Sequence, residues 1–436
     1  MTSEVMRGRP RVTDAEARRI AFAAFVGTAL EWYDYFLFGT AASIVFNRLY
    51  FVSGDPLVAT LAAFASFAVG FLARPIGAVI FGHVGDRHGR RTSLIVTVTM
   101  IGVVTALIGL LPDFAAIGAA APVLLTLLRV LQGIAVGGEW GGAVTLAVEH
   151  APPEHRGRYA ALPQVGSPVG TLLSSGAFAL VSMLPASAFD SWGWRLPFLA
   201  AIPLLFVALY LRRRVEESPL FTELLEQQDR SSLPVVEVVR RSFGRVLVGM
   251  SASLLGVGGF YLLTTFVISY GTETLQLPRS LLLGATLVAA AVEIAILLAF
   301  GRLAERLGPG KVCVAGGIAS ALAAFPVFWL IDTRNPVLVV LAVTAGVACL
   351  SVPYAVSGSL LTELFPPHLR YSGVSIAFNL GGVVSGLVPF AATSLLAASG
   401  QQSWSVALLL VGLAVLTAVG GALGGRLRIE DEVSAR

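Results

Sequence analysis

Apolar stretches long enough to cross a bilayer follow one another along almost the whole chain, at residues 20–49, 57–82, 92–111, 121–149, 158–184, 194–211, 244–270, 281–300, 312–332, 336–364, 372–397 and 404–425. A helix rises about 1.5 Å per residue, so about 20 mainly apolar residues span the hydrocarbon core. The pattern predicts twelve spanning helices and an all-α membrane protein. Composition agrees: 56% of residues are hydrophobic, 13% are charged and mean hydropathy is +0.81, against about 25% charged in a soluble domain. A soluble enzyme, a disordered chain and a disulfide scaffold are excluded. The first run is too long for a signal-peptide core and is read as a retained helix. Cys313 and Cys349 sit inside apolar runs without metal-ligand spacing, which suits helix packing.

The positive charge behind a pI near 9.3 lies in short connectors rather than on one domain, which argues against nucleic acid as a partner. With the N-terminus inside, 24 of the 30 Lys and Arg residues fall on the inner side; Arg48, Arg279 and Arg334 fall outside, and Arg74, Arg129 and Arg195 within spans. Inner loops of membrane proteins carry the Lys/Arg excess, so both termini are expected in the cytoplasm of a cell (plasma or inner) membrane. The most charged connector, 212–243, divides the chain into an inner tail (1–19), a six-helix half (20–211), a linker (212–243), a second six-helix half (244–425) and a second tail (426–436).

The halves repeat each other. Gly82-His83-Val84-Gly85-Asp86-Arg87-His88-Gly89 after the second run matches Gly301-Arg302-Leu303-Ala304-Glu305-Arg306-Leu307-Gly308 after the eighth, both as G-x-x-x-acid-R-x-G. Glu149-x-x-Pro152-Pro153-x-x-Arg156 likewise matches Glu363-x-x-Pro366-Pro367-x-x-Arg370. Duplicated halves with a site between them are the architecture of secondary transporters.

With these motifs the chain resembles the major facilitator superfamily, through the Gly82–Arg91 loop and Arg129-x-x-Gln132-Gly133. More narrowly it resembles the metabolite:proton symporters, which include carriers of shikimate, 2-oxoglutarate, citrate and proline/betaine. The matching strings are Glu31-Trp32-Tyr33-Asp34, Arg74-Pro75-x-Gly77, Gln132-Gly133-x-x-x-Gly137-Gly138-Glu139, Trp192-Gly193-Trp194-Arg195-Leu196-Pro197-Phe198, Glu216-Glu217-Ser218-Pro219 and Phe365-Pro366-x-x-x-Arg370. The second-half loop departs from the pattern, with Pro309 and Gly310 where paired basic residues are common. The resemblance implies the major facilitator fold and proton-coupled uptake of a small organic acid or zwitterion.

Charges at membrane depth mark the candidate site, because each costs about 2.5–3.5 kcal/mol even on the lenient insertion scale. Glu31 and Asp34 are three residues apart and share a helix face with Tyr35 and Phe38. Arg129, Gln132 and Glu139 form a polar stripe in the fourth run, beside glycines at 133, 137, 138, 141 and 142 that let another helix approach. Arg129 suits a substrate carboxylate, as a bidentate partner, or the role of counter-ion to Glu31 or Asp34. All five histidines (83, 88, 150, 155 and 368) fall in or beside connectors, so a coupled proton is assigned to a carboxylate: Glu31, Asp34 or Glu139, with Glu293 a further membrane-depth candidate. Arg129, Gln132, Tyr35 and Asn379 are the candidate substrate contacts. Tyr261, Tyr270 and Tyr354 either line the second half's side of the cavity or pack. Arg74 is expected to brace Asp86 or Glu149, and Arg195 to anchor at the interface.

Gly82, Asp86, Arg87, Gly89, Arg90 and Arg91, with Glu305 and Arg306 in the second half, are read as a gate. An acid at a helix end meets neighbouring arginines and the positive end of a helix in one arrangement of the halves and loses them in the other. No phosphate-cradling loop and no nucleophile–base set occurs, so no cofactor or enzymatic role is expected, and the energy source is a proton gradient. The expected partners are the solute, protons and lipid, with the monomer as the working unit. Two rivals remain: a proton-exchanging exporter, since Gly166-Ser167-Pro168-x-Gly170 partly resembles an antiporter element, and a non-transporting membrane sensor.

Overall fold

The structure, a computed structural model, describes residues 14–88, 90–137, 139–140, 144, 147–148, 155–213, 234–366 and 369–429. The chain runs as α1 (Asp14–Ala41), α2 (Pro56–His88), α3 (Arg90–Leu110), α4 (Ala120–Val136), α5 (Arg156–Val181) and α6 (Ala201–Arg213). It continues as α7 (from Phe243), α8 (Arg279–Leu307), α9 (Pro309–Asp332), α10 (Pro336–Leu364), α11 (from Arg370) and α12 (Trp404–Arg426). Seven of these helical stretches are long and apolar enough to cross a membrane by length and composition alone. Helix caps mark where polar loops begin: Asn335 accepts from the backbone N–H of Val337 and Leu338 at the start of α10.

The twelve-helix membrane fold expected from the sequence is present, with its repeat visible in the packing. In the first half α1 lies against α5, α2 against α4, and α3 against α4 and α6. In the second, α7 lies against α11, α8 against α10, and α9 against α10 and α12. Each pairing recurs six helices later. The halves meet along α5–α8 and α2–α11.

Two departures from the sequence reading bear on the site. The loop expected at 82–91 is largely helical backbone, α2 running to His88 and α3 starting at Arg90. The central helices are also irregular. α1 passes into a π-turn at Ala42–Phe46, and α7 contains π-turns at Leu255–Gly259, Leu262–Phe266 and Tyr270–Thr274. Such wide turns often mark functional positions. α1 and α7 are the equivalent first helices of the two halves.

Glycines set the α2–α4 crossing. A Cβ on Gly133 would lie 1.9 Å from the Gly70 carbonyl oxygen, and one on Gly77 would lie 1.9 Å from that of Ile134. The backbones therefore touch, as small residues allow in membrane helices.

Candidate functional site

Two ion pairs sit in the core of the first half. Glu31 on α1 meets Arg74 on α2 at 3.1 Å, and Arg74 Nε donates to the Tyr35 hydroxyl at 2.9 Å. Asp34, one turn along α1, faces Arg129 on α4 at 3.9 Å. Gln132 and the Thr105 hydroxyl on α3 both donate to Asp34 Oδ1, and Gln132 accepts from Arg129 Nη1 at 2.8 Å. All four charged side chains are at most 2% exposed. Pairing and charge-assisted hydrogen bonds make such burial tolerable.

Tyr35 joins the pairs. Its ring lies between two guanidinium groups, 4.2 Å from that of Arg74 and 4.3 Å from that of Arg129. Phe38 flanks Arg129 at 4.4 Å and Phe71 flanks Arg74 at 4.8 Å. A cation over an aromatic face gains about 2 kcal/mol or more when desolvated. From the other half, Tyr261 of α7 packs against Phe67, Phe71 and Trp32, closing the aromatic shell. Arg129 keeps two buried donors, Nε and Nη2, without a hydrogen-bonded acceptor.

Several expectations meet here. Glu31, Asp34, Tyr35, Arg129 and Gln132 are brought into one cluster. Arg74 pairs with Glu31 and Tyr35; the expected brace to Asp86 or Glu149 falls on side chains outside the described residues. Its depth in α2, among apolar residues, was the signal that it needed a buried acid. Thr105 carried no such signal, because a lone threonine in an apolar run reads as packing. Glu139 is buried beyond the end of α4. Arg195 donates to the carbonyl oxygens of Gly109 and Leu111, tying the start of the sixth span to the end of α3. The side chains of Gly82, Asp86, Arg87, Gly89, Arg90 and Arg91 lie outside the described residues.

The halves touch at both ends of the bundle. At one end Glu273 on α7 accepts from Asn47 and, at 3.0 Å, from Thr60, while Ser43 donates to the Thr265 carbonyl oxygen at 2.8 Å. At the other end Glu305 on α8 accepts from the Arg158 backbone at 3.0 Å and pairs with its guanidinium at 3.3 Å; Arg306 is exposed. Asn379 on α11 donates to the Gly137 carbonyl oxygen at 2.8 Å, so here it bridges the halves. Trp140 stacks on Phe378 with ring centroids 3.4 Å apart, and Gln164 on α5 donates to Ser357 on α10 at 2.7 Å. Between these closures Phe36, Thr40, Thr171, Ser175, Thr265 and Thr286 line part of a cavity of about 10 Å³, roughly the room one water needs.

Comparison with known proteins agrees with this geometry. The family pattern described as Major Facilitator Superfamily matches residues 24–389. The chain is 39% identical over 428 residues to the shikimate transporter of Escherichia coli K12, covering 96% of this chain and 98% of that one. It is 34% identical over 429 residues to the proline/betaine transporter of Salmonella typhimurium LT2, covering 94% and 84%. Among solved structures, the proton:xylose symporter XylE bound to 6-bromo-6-deoxy-D-glucose superposes with a TM-score of 0.71 at 19% identity, covering 93% of this chain and 95% of that one. Repeat, fold and sequence together place the chain in the major facilitator superfamily, as a multi-span membrane transporter.

Proposed function

We propose that the chain is a proton-coupled symporter that carries a small organic acid or zwitterion into the cell, with both termini in the cytoplasm. The supporting observation is the Asp34–Arg129 pair. Arg129 has a loosely held acid and two donors without an acceptor, and its guanidinium stays charged at every accessible pH. A substrate carboxylate that takes those donors competes with Asp34 for the same cation. Asp34 then loses part of its counter-charge, and a proton replaces it. Solute and proton thus favour each other's binding, which is the requirement for symport. Gln132 and Thr105 hold Asp34 in either state. Glu31 and Arg74 keep the neighbouring charge balanced, and Tyr35 transmits displacement between the pairs.

The Glu273 end is assigned to the outside and the Glu305 end to the cytoplasm, from the Lys/Arg asymmetry of the loops. Alternating access then consists of releasing one set of inter-half contacts while the other holds, with Asp86 and its neighbours joining Glu305 on the inner side. Relatives named for shikimate and for proline/betaine make carboxylates and zwitterions the substrate classes to try first.

The test is uptake by proteoliposomes offered labelled shikimate, 2-oxoglutarate, citrate, benzoate-like acids, proline and betaine. The expected result is accumulation of one class, with alkalinisation of the external medium as substrate enters. External acidification on substrate addition would instead identify an exchanger.

A further inference from the structure

Beyond the two ion pairs stand two further membrane-depth acids, Glu139 and Glu293, and Glu293 is the more deeply buried. Glu293 on α8 is 0% exposed, and neither of its carboxyl oxygens takes part in a hydrogen bond. An ionised carboxylate buried without a counter-charge or donor is strongly unfavourable, and such a group takes a proton instead. The charges of Arg74 and Arg129 are already matched by Glu31 and Asp34.

The position of Glu293 gives it a route to water. α8 runs antiparallel to α5 along the boundary between the halves, with Gly301 against Gly157 at one level and Leu287 against Gly176 at another. That register puts Glu293 level with Ser167 and Thr171. Ser167, Thr171 and Ser175 share one face of α5 at four-residue spacing, and Thr286 and Glu293 share one face of α8 at seven. Thr171, Ser175 and Thr286 also line the water-sized cavity. Hydroxyl groups thus lead from the cavity down the α5–α8 seam to the acid.

The titratable or charged groups around it are few among the described residues. From α10, Tyr354 lies within electrostatic reach of Glu293, and also of Glu31 and Arg74. The facing turns of α5 offer only hydroxyls and the Gln164 amide. On α9, Lys311 and Asp332 stand at opposite ends, and on α7 Glu273 is held at the far closure while Tyr270 donates to Asp332.

We propose that Glu293 is a second proton-binding site, on the C-terminal half. It exchanges its proton with water through the hydroxyl-lined seam when α5 and α8 part, and holds it as the neutral acid when they close. Its contribution to coupling rests on the symport reading above; the protonation does not. Because the seam lies between the halves, loading this site is linked directly to their closure.

The experiment is infrared difference spectroscopy on the full-length protein in lipid, comparing wild type, Glu293→Gln and Glu293→Asp, with protons released on an alkaline step counted by an indicator dye. The expected result is a carbonyl-stretch band of a protonated carboxyl in apolar surroundings, shifted in heavy water, lost in Glu293→Gln and retained with a shift in Glu293→Asp. Glu293→Gln should release one proton equivalent fewer per molecule. A band unchanged in Glu293→Gln overturns the inference, whatever the outcome of the uptake assay. A band abolished by sodium at constant pH also overturns it, marking a sodium site. The expected band in a protein that shows no proton-coupled uptake would sustain the site and sink the symport reading alone.

Discussion

Asp34 and Arg129 face each other at 3.9 Å, and Gln132 hydrogen-bonds to both of them. The acid is thereby held in place by neutral donors while its counter-ion stays some distance off. If Asp34 carries the proton, Asp34→Asn keeps those donors in use while removing the titratable group and the negative charge opposite Arg129. Uphill accumulation should be abolished, while exchange of labelled for unlabelled solute at equal pH survives. Wild-type uptake should slow as external pH rises, because the loaded carrier needs the proton, and the variant should lose that slope. Accumulation and pH slope both intact in Asp34→Asn would move coupling to another acid.

The Glu31–Arg74 contact, at 3.1 Å, serves a different purpose. Removing one member of a buried pair leaves the other charge uncompensated, at a cost of about 3–5 kcal/mol. Arg74→Met should therefore lower thermal stability in detergent strongly, and adding Glu31→Gln should recover much of the loss. Melting followed by intrinsic fluorescence on both single variants and the double variant measures the coupling; additive losses would show that the pair is not a unit.

Closure at the two ends should respond in opposite senses. Glu273 is bonded by Asn47 and Thr60, and hydrogen bonds to a charged group contribute about 1.5–3 kcal/mol each. The half-exposed Arg158–Glu305 pair is worth about 0.2–1 kcal/mol. Glu273→Ala should shift the population towards opening at that end by tenfold or more, about 1.4 kcal/mol per decade. Glu305→Ala should open the other end by a few-fold. Spin-label distances across each end report both, and a change of the same sign in the two variants would refute the reciprocal scheme.

The α2–α4 crossing predicts a sharp contrast between glycines. Gly133→Ala places a methyl 1.9 Å from the Gly70 carbonyl oxygen, and such overpacking costs about 1–3 kcal/mol or more. Gly412 has nothing within 4 Å of an added Cβ, so Gly412→Ala should be silent. Yield of folded protein by size-exclusion fluorescence decides it.

The spanning helices, the repeat and the presence of Glu31, Asp34, Arg129 and Gln132 at one site were all legible in the sequence, because membrane-depth charge is too unfavourable to occur without a partner. Which cation meets which acid was not. Arg74 and Arg129 stand on different helices, and only the glycine-spaced crossing of α2 and α4 decides that one reaches Glu31 and the other Asp34. The π-turns of α1 and α7 were equally hidden, since an apolar run reads the same with four or five residues between hydrogen-bonded groups. Glu273 escaped notice because it sits at a helix end, where acids are ordinary, and its partners Asn47 and Thr60 come from the other half.

The glycine contact between α2 and α4 has a mechanical consequence. With backbone against backbone and no side chains between them, these helices have nothing to slide on, so Arg74 and Arg129 are carried on one stiff frame. Tyr35, with its acids, belongs to α1, which is seated just as closely on α5: a Cβ on Gly170 would lie 2.6 Å from the Tyr33 backbone nitrogen, and one on Gly166 2.7 Å from that of Ala29. The two cations thus keep their spacing on one frame and the acids keep theirs on a second, and the frames meet at the Tyr35 ring.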